Sequence, residues 1–184
     1  KACLTAETCS LLREFAPQAV HPGKDSGHCV WDWLPDAWMA EPKYFDKDHW
    51  HETEVFRNAH VKEEYDWVTG ELDRLLSQHG YERNGLFYRA VAPNEDTIVL
   101  FCHFGVECVL LSHLLYISPM QLWHGTCAAP SSVTVLYTEE RRSGVASFRM
   151  SRFGDVSHLY AGGREPSFAA RFCEVYTRFD QRHD

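Results

Sequence analysis

The stretch 97–115, TIVLFCHFGVECVLLSHLL, places an imidazole where chemistry is often done. A β-branched, aromatic run ends at Cys102, His103 follows at once, and Gly105 opens a second apolar run that reads as a buried helix to Ile117. In open α/β sheets, ligands gather beyond the carboxyl ends of strands. A helix beginning there presents unpaired N–H groups and the positive end of its dipole, which suits phosphate. Gly105 removes the Cβ that would keep a ligand from the backbone. The spacing therefore predicts that His103, Phe104 and Gly105 face a phosphate-like anion. On spacing alone, a His103 that caps the strand and bonds a carbonyl fits equally well.

Other reactive side chains carry weaker signals. Asp48-His49-Trp50-His51-Glu52 has ligand types for zinc, but structural zinc normally takes four ligands and no distant His/Cys pair has matching spacing. It is read as a solvated polar run. His113 falls inside the buried helix and is read as a hydrogen-bonded core histidine. Cys127 follows His124-Gly125-Thr126, with no basic neighbour in sequence to lower its pKa. Four of the six tryptophans, Trp31, Trp33, Trp38 and Trp50, fall in one loop-rich stretch, where covering the core is favoured over touching a substrate.

The elements that must position these groups follow from pattern. Residues 5–12 (TAETCSLL) read as a strand, and Pro17 disfavours a helix after it. From 21 to 58 no period is sustained, and Pro22, Gly23, Gly27, Pro35 and Pro42 punctuate the chain. Tyr65, Val68, Leu72 and Leu75/Leu76 predict a helix over 61–79, stopped by Gly80. Asn84-Gly85 predicts a hairpin within 81–91. Residues 97–102, apolar on both faces, read as a central parallel strand. Residues 131–137 and 145–150 read as strands joined by the polar turn 139–144, and 168–176 as a closing helix.

Composition bounds the class. The chain has 184 residues, 45% hydrophobic and 24% charged, which is globular and not disordered. One domain over 1–184 is expected, with a Trp-rich insertion around 16–58. A formal charge of −8 argues against general nucleic-acid binding. The longest apolar stretch is broken by His103, Glu107 and His113, and no signal peptide or membrane span is read. Seven cysteines with no CxxC pair favour reduced thiols and a cytoplasmic location.

Phe101-Cys102-His103-Phe104-Gly105 followed by an apolar helix resembles the second histidine motif of the histidine phosphatase superfamily, in its phosphoglycerate-mutase-like branch. Leu12-Arg13-Glu14-Phe15 resembles the segment carrying that family's acidic proton donor. Residues 131–137 resemble the strand that follows, and Gly154-Asp155-Val156-Ser157-His158-Leu159 resembles a late family segment. The resemblance spans Leu12 to Leu159 in the family's order. It implies a three-layer α/β/α fold with a mostly parallel sheet, no cofactor or metal, and a small phosphorylated substrate or inorganic phosphate as partner. The oligomeric state stays open. It makes His103 the second, charge-stabilising imidazole and Glu14 the acid/base. His158 is read as a packing or loop-fixing residue.

The departure concerns the nucleophile. The family uses the histidine of Arg-His-Gly at the end of its first strand, and this chain has no such triplet; its Arg182-His183 is followed by Asp184. The first βα unit, about 30 residues, is expected to be missing from this chain, with a degenerate, non-catalytic relative as the rival reading. The expectation is a phosphate-monoester hydrolase fold acting through phosphohistidine, inactive as this chain alone. The alternative is a non-catalytic phosphate-binding or interaction domain.

Overall fold

The computed structural model describes residues 5–20, 26–167 and 175–178. Its longest element is the helix α3, Val61–Gln78, whose periodic Val61, Val68, Leu72 and Leu76 are buried. Gly80 ends it with φ +85°, and a Cβ there would run into the Ala92 backbone, so only glycine fits. The chain then turns through Gly85 (φ +61°) into the antiparallel hairpin β3 (Tyr81–Asn84) and β4 (Phe87–Ala90), as the Asn-Gly signal predicts. A second hairpin, β5 (Val133–Arg142) and β6 (Val145–Asp155), is longer than its sequence pattern suggests, since both strands run into the polar 139–144 region.

These two hairpins join edge to edge in the order β3-β4-β6-β5, with Tyr88 opposite Ala146. A separate two-residue pair, β1 (Gln18–Ala19) and β2 (His28–Cys29), is also antiparallel. The expected three-layer α/β/α arrangement around a mostly parallel sheet is therefore incorrect: every strand pairing among the described residues is antiparallel. The reason is local. Parallel pairing needs a crossover of a dozen or more residues between strands, whereas each hairpin here closes through a tight turn.

Two segments read as strands, 5–12 and the central parallel strand 97–102, are something else. Residues 5–12 form no strand; their end is a 3-10 turn, Ser10–Leu12, with Leu11 buried. Residues 97–103 belong to no strand ladder and leave Val99 and Phe101 exposed. The expected closing helix at 168–176 lies mostly outside the described residues.

Two further helices complete the frame. α4 (Phe104–Leu115) is buried on nearly every side, as its all-round apolar sequence demands. Pro119 opens α5 (Pro119–Gly125), where a first-turn proline loses no helical hydrogen bond. The loop-rich stretch contributes α1 (Pro35–Trp38), a 3-10 turn Pro42–Phe45 and α2 (Glu54–Asn58), and α6 (Ser157–Ala161) follows β6. Trp33, Trp38 and Trp50 are buried with Tyr44, Phe56 and Trp123, so core packing is what most of the clustered tryptophans do. A polar tie crosses the frame: the Tyr88 hydroxyl donates to Asp73 Oδ1 (2.6 Å), and His113 Nε2 lies 3.0 Å from both Asp73 oxygens. His113 is thus a partnered histidine, and it holds α3, α4 and β4 together.

Candidate functional site

The site is built at the amino end of α4. His103 takes the N-cap position with extended backbone (φ −118°, ψ 164°), but its side chain makes no capping bond and is exposed. Capping is supplied by Glu14, whose Oε1 accepts from the N–H of Val106, 92 residues on, at 3.1 Å; the same oxygen also accepts from the Phe15 N–H at 2.8 Å. A carboxylate at a helix N-terminus meets both the unpaired donors and the positive dipole end. The two residues singled out by resemblance, His103 and Glu14, therefore sit at the same helix end.

Aromatic packing fixes that arrangement. Trp31 Nε1 donates to Phe15 O (2.7 Å), holding the segment that carries Glu14. The Trp31 ring meets Phe104 edge-on at 6.3 Å. Trp123 Nε1 donates to Gly105 O (2.9 Å), and its ring stacks on Phe15 at 5.4 Å. Gly105 is required here for a reason different from ligand access. A Cβ at this position would lie 2.6 Å from the Trp31 ring and 2.7 Å from Glu14 Oε1. Trp31 and Trp123 were legible only as aromatic area; an indole N–H that needs a partner was the one hint of their positioning role.

This geometry makes a direct expectation. Gly105→Ala should cost about 2 kcal/mol by overpacking and push the Glu14 carboxylate off the Val106 amide. Gly125→Ala, whose Cβ would meet nothing within 4 Å, is the matched control. Urea midpoints read the difference, and equal midpoints would mean that the Trp31–Glu14 wall yields freely.

The electrostatics of the helix end are acidic. Burial pushes the Glu107 carboxyl above its usual range, opposed by its hydrogen bond with the Thr134 side chain. Burial, helped by the Glu107 and Glu14 charges, raises the Cys102 thiol to about 11. An incoming phosphate thus meets amides already shared with a carboxylate. Glu107 was not singled out in the sequence; it lies one turn beyond His103, with its N–H donating to His103 O at 2.9 Å.

The remaining candidates are dispersed. His49 pairs with Asp46 (3.1 Å), and among the described residues no group of three or more His, Cys, Asp or Glu side chains is arranged to hold a metal. His158 is exposed on α6, and Cys127 is exposed beyond α5. A cavity of about 140 Å³ is lined by Lys47, Arg83, His113 and Tyr116 among others, and one of about 280 Å³ by Arg13, Pro17, His60 and Glu64; neither includes His103 or Gly105. Among the described residues no helix is long and apolar enough to cross a membrane. No family model, curated protein or solved structure matches the chain.

Proposed function

We propose that Glu14 and His103 form the acid and imidazole part of a phosphate-monoester site of the histidine phosphatase kind, whose nucleophile is not among the residues of this chain. The observation that carries this reading is the Glu14 carboxylate brought across 92 residues onto the first turn of the helix that His103 opens. The reading rests on these residues and not on the sheet, whose antiparallel topology departs from that of the resembled family.

In such a site a neutral imidazole attacks phosphorus in line, the P–O bond to the alkoxide breaks, and the acid protonates the departing oxygen. Water, deprotonated by the same carboxylate, then displaces the imidazole and releases phosphate. A second imidazole stabilises charge on the equatorial oxygens. Glu14 and His103 fill the acid and second-imidazole roles, and the attacking group has no candidate with the Arg-His-Gly signature. A cytoplasmic, reducing location fits the same reading, since Cys9, Cys29, Cys102, Cys108 and Cys127 are all unpaired.

One observation favours a second reading, a phosphate-binding domain without turnover. Both amide bonds of Glu14 go to Oε1, which makes the residue a helix cap as much as an acid. Two measurements separate the readings. The purified chain should not hydrolyse p-nitrophenyl phosphate above the buffer rate; hydrolysis abolished by His103→Ala would place the nucleophile in this chain. Millimolar inorganic phosphate should move the His103 ring resonances in NMR spectra, and Glu14→Gln should tighten that binding by removing a negative charge at the same helix end. An unmoved His103 resonance at saturating phosphate would end both readings.

A further inference from the structure

Arg83, on β3, is clamped without being neutralised. Its guanidinium lies 4.9 Å from the Tyr88 ring and 5.2 Å from the Tyr116 ring. Nε donates to Gly85 O (2.7 Å) and Nη1 to the Tyr88 hydroxyl (2.8 Å). A guanidinium has more N–H donors than these two bonds use. The neighbouring acids are engaged elsewhere: Glu82 pairs with Arg89, and Asp73 with His113 and the Tyr88 hydroxyl. Tyr116 reaches Arg83 from the C-cap of α4 in the left-handed conformation (φ 59°, ψ 46°), a place glycine usually takes. The guanidinium borders the cavity of about 140 Å³, whose walls also include Lys47, Ser112, His113 and Ile117. Most other polar groups of that wall have partners: the Tyr65 and Ser112 hydroxyls are 3.0 Å apart, and His113 Nε2 faces Asp73. Lys47 meets Asp48 at 2.7 Å, but an exposed pair between sequence neighbours is weakly held, so its ammonium can turn to a ligand.

We propose that this cavity binds a small monocarboxylate, with Arg83 as the fork that receives the carboxylate and Lys47 as a second cation at the rim. A planar guanidinium matches a carboxylate through two parallel hydrogen bonds. Two rings and two hydrogen bonds already fix the orientation of this one, so little freedom is lost when the ligand arrives. Size sets an upper limit. A cavity of about 150 Å³ holds benzene, so this one takes about six non-hydrogen atoms. Charge sets another. Asp48 lines the same space, and the last turn of α4 brings the negative end of its dipole there. A doubly charged phosphate would meet both, whereas a single carboxylate is balanced by the two cations. Leu86 and Ile117 offer apolar surface to a short aliphatic body. The cavity lies at the opposite end of α4 from His103 and Glu14, and none of its residues enters the phosphate reading, so each stands or fails alone.

Lactate, titrated at constant ionic strength and followed by NMR, is the probe. It should move the Arg83 Nε–H and Tyr116 amide resonances and saturate in the millimolar range. Lactamide, its neutral counterpart of the same shape, should leave them in place, and inorganic phosphate should move them less than lactate does. Arg83→Lys keeps the charge and loses the fork; it should weaken lactate binding by on the order of tenfold, read at Tyr116. Leu86→Trp enlarges a side chain that is 60% exposed at the hairpin turn and should abolish binding by filling the mouth without touching the core. Resonances unmoved by tens of millimolar lactate, an equal response to lactamide, or binding indifferent to both variants overturns the proposal. Tighter binding of phosphate than of lactate at Arg83 overturns the monocarboxylate assignment.

Discussion

Trp123→Ala should lower the unfolding free energy by about 3–5 kcal/mol, the range for removing a large buried aromatic, and should disorder the helix end that carries His103. The indole is 2% exposed, stacks on Phe15, meets Trp50 edge-on at 5.9 Å and donates its N–H to Gly105 O. Its removal deletes core volume and the indole's hydrogen bond to Gly105 O. Since domains of this size are stable by roughly 5–15 kcal/mol, the loss takes a large share of the total. Trp123→Phe separates the two effects: it keeps most of the ring packing and loses only the hydrogen bond. Urea unfolding of both variants is the measurement. A Trp123→Ala midpoint within error of wild type would mean that Trp123 does not organise this region.

Acidification from pH 7 to pH 5 should weaken the fold through His124. Its Nε2 accepts from the Trp33 N–H (3.2 Å), Nδ1 lies 3.0 Å from Met120 O, and the ring stacks on Trp38 at 5.0 Å. Burial depresses its pKa to about 4, against the backbone bond to Met120 that raises it. A depressed histidine holds its stabilising share fully above the unfolded value near 6.5. Below that value the unfolded chain takes up a proton that the folded chain refuses, so stability falls until the pH reaches the folded value. The full span corresponds to roughly 3.5 kcal/mol as an upper bound, at about 1.4 kcal/mol per pKa unit, of which roughly 2 kcal/mol falls above pH 5. His51, lowered by burial, acts in the same direction, and His49, raised by Asp46, in the opposite one. The comparison is therefore between wild type and His124→Gln, which retains an acceptor for Trp33. The variant's stability should fall less between pH 7 and pH 5; parallel curves would remove His124 as the cause.

The parts of the fold legible in the sequence were those whose cause is local. The α3 stripe, its glycine stop and the Asn84-Gly85 turn are each decided within a few residues, and the structure has all three. Residues 97–102 show the opposite case. Their composition states that both faces tolerate burial, but not whether a neighbouring strand exists to use them, so a central strand was inferred where a segment outside every described ladder stands. Residues 5–12 misled similarly, because β-compatible composition is a weak preference that Leu11, buried within a 3-10 turn, overrides. At the site, the placing of His103 before a helix was legible from the all-round apolar run that Gly105 opens. The approach of Glu14 came only through resemblance, and the clamp of Trp31 and Trp123 through neither, since it depends on contacts 16–18 residues or more apart in the chain.

The bond from Glu14 to Val106 also bears on the order in which the molecule assembles. Bringing together groups 92 residues apart costs on the order of 4 kcal/mol in chain entropy by the logarithmic loop rule. A hydrogen bond to a charged acceptor returns about 1.5–3 kcal/mol. The carboxylate cannot recruit α4 by itself; it arrives only after Phe15 has seated against Trp123 and the loop is already closed. The helix end bearing His103 is therefore among the last features to form during folding and among the first to open in the native ensemble, on an excursion that leaves the aromatic interior intact.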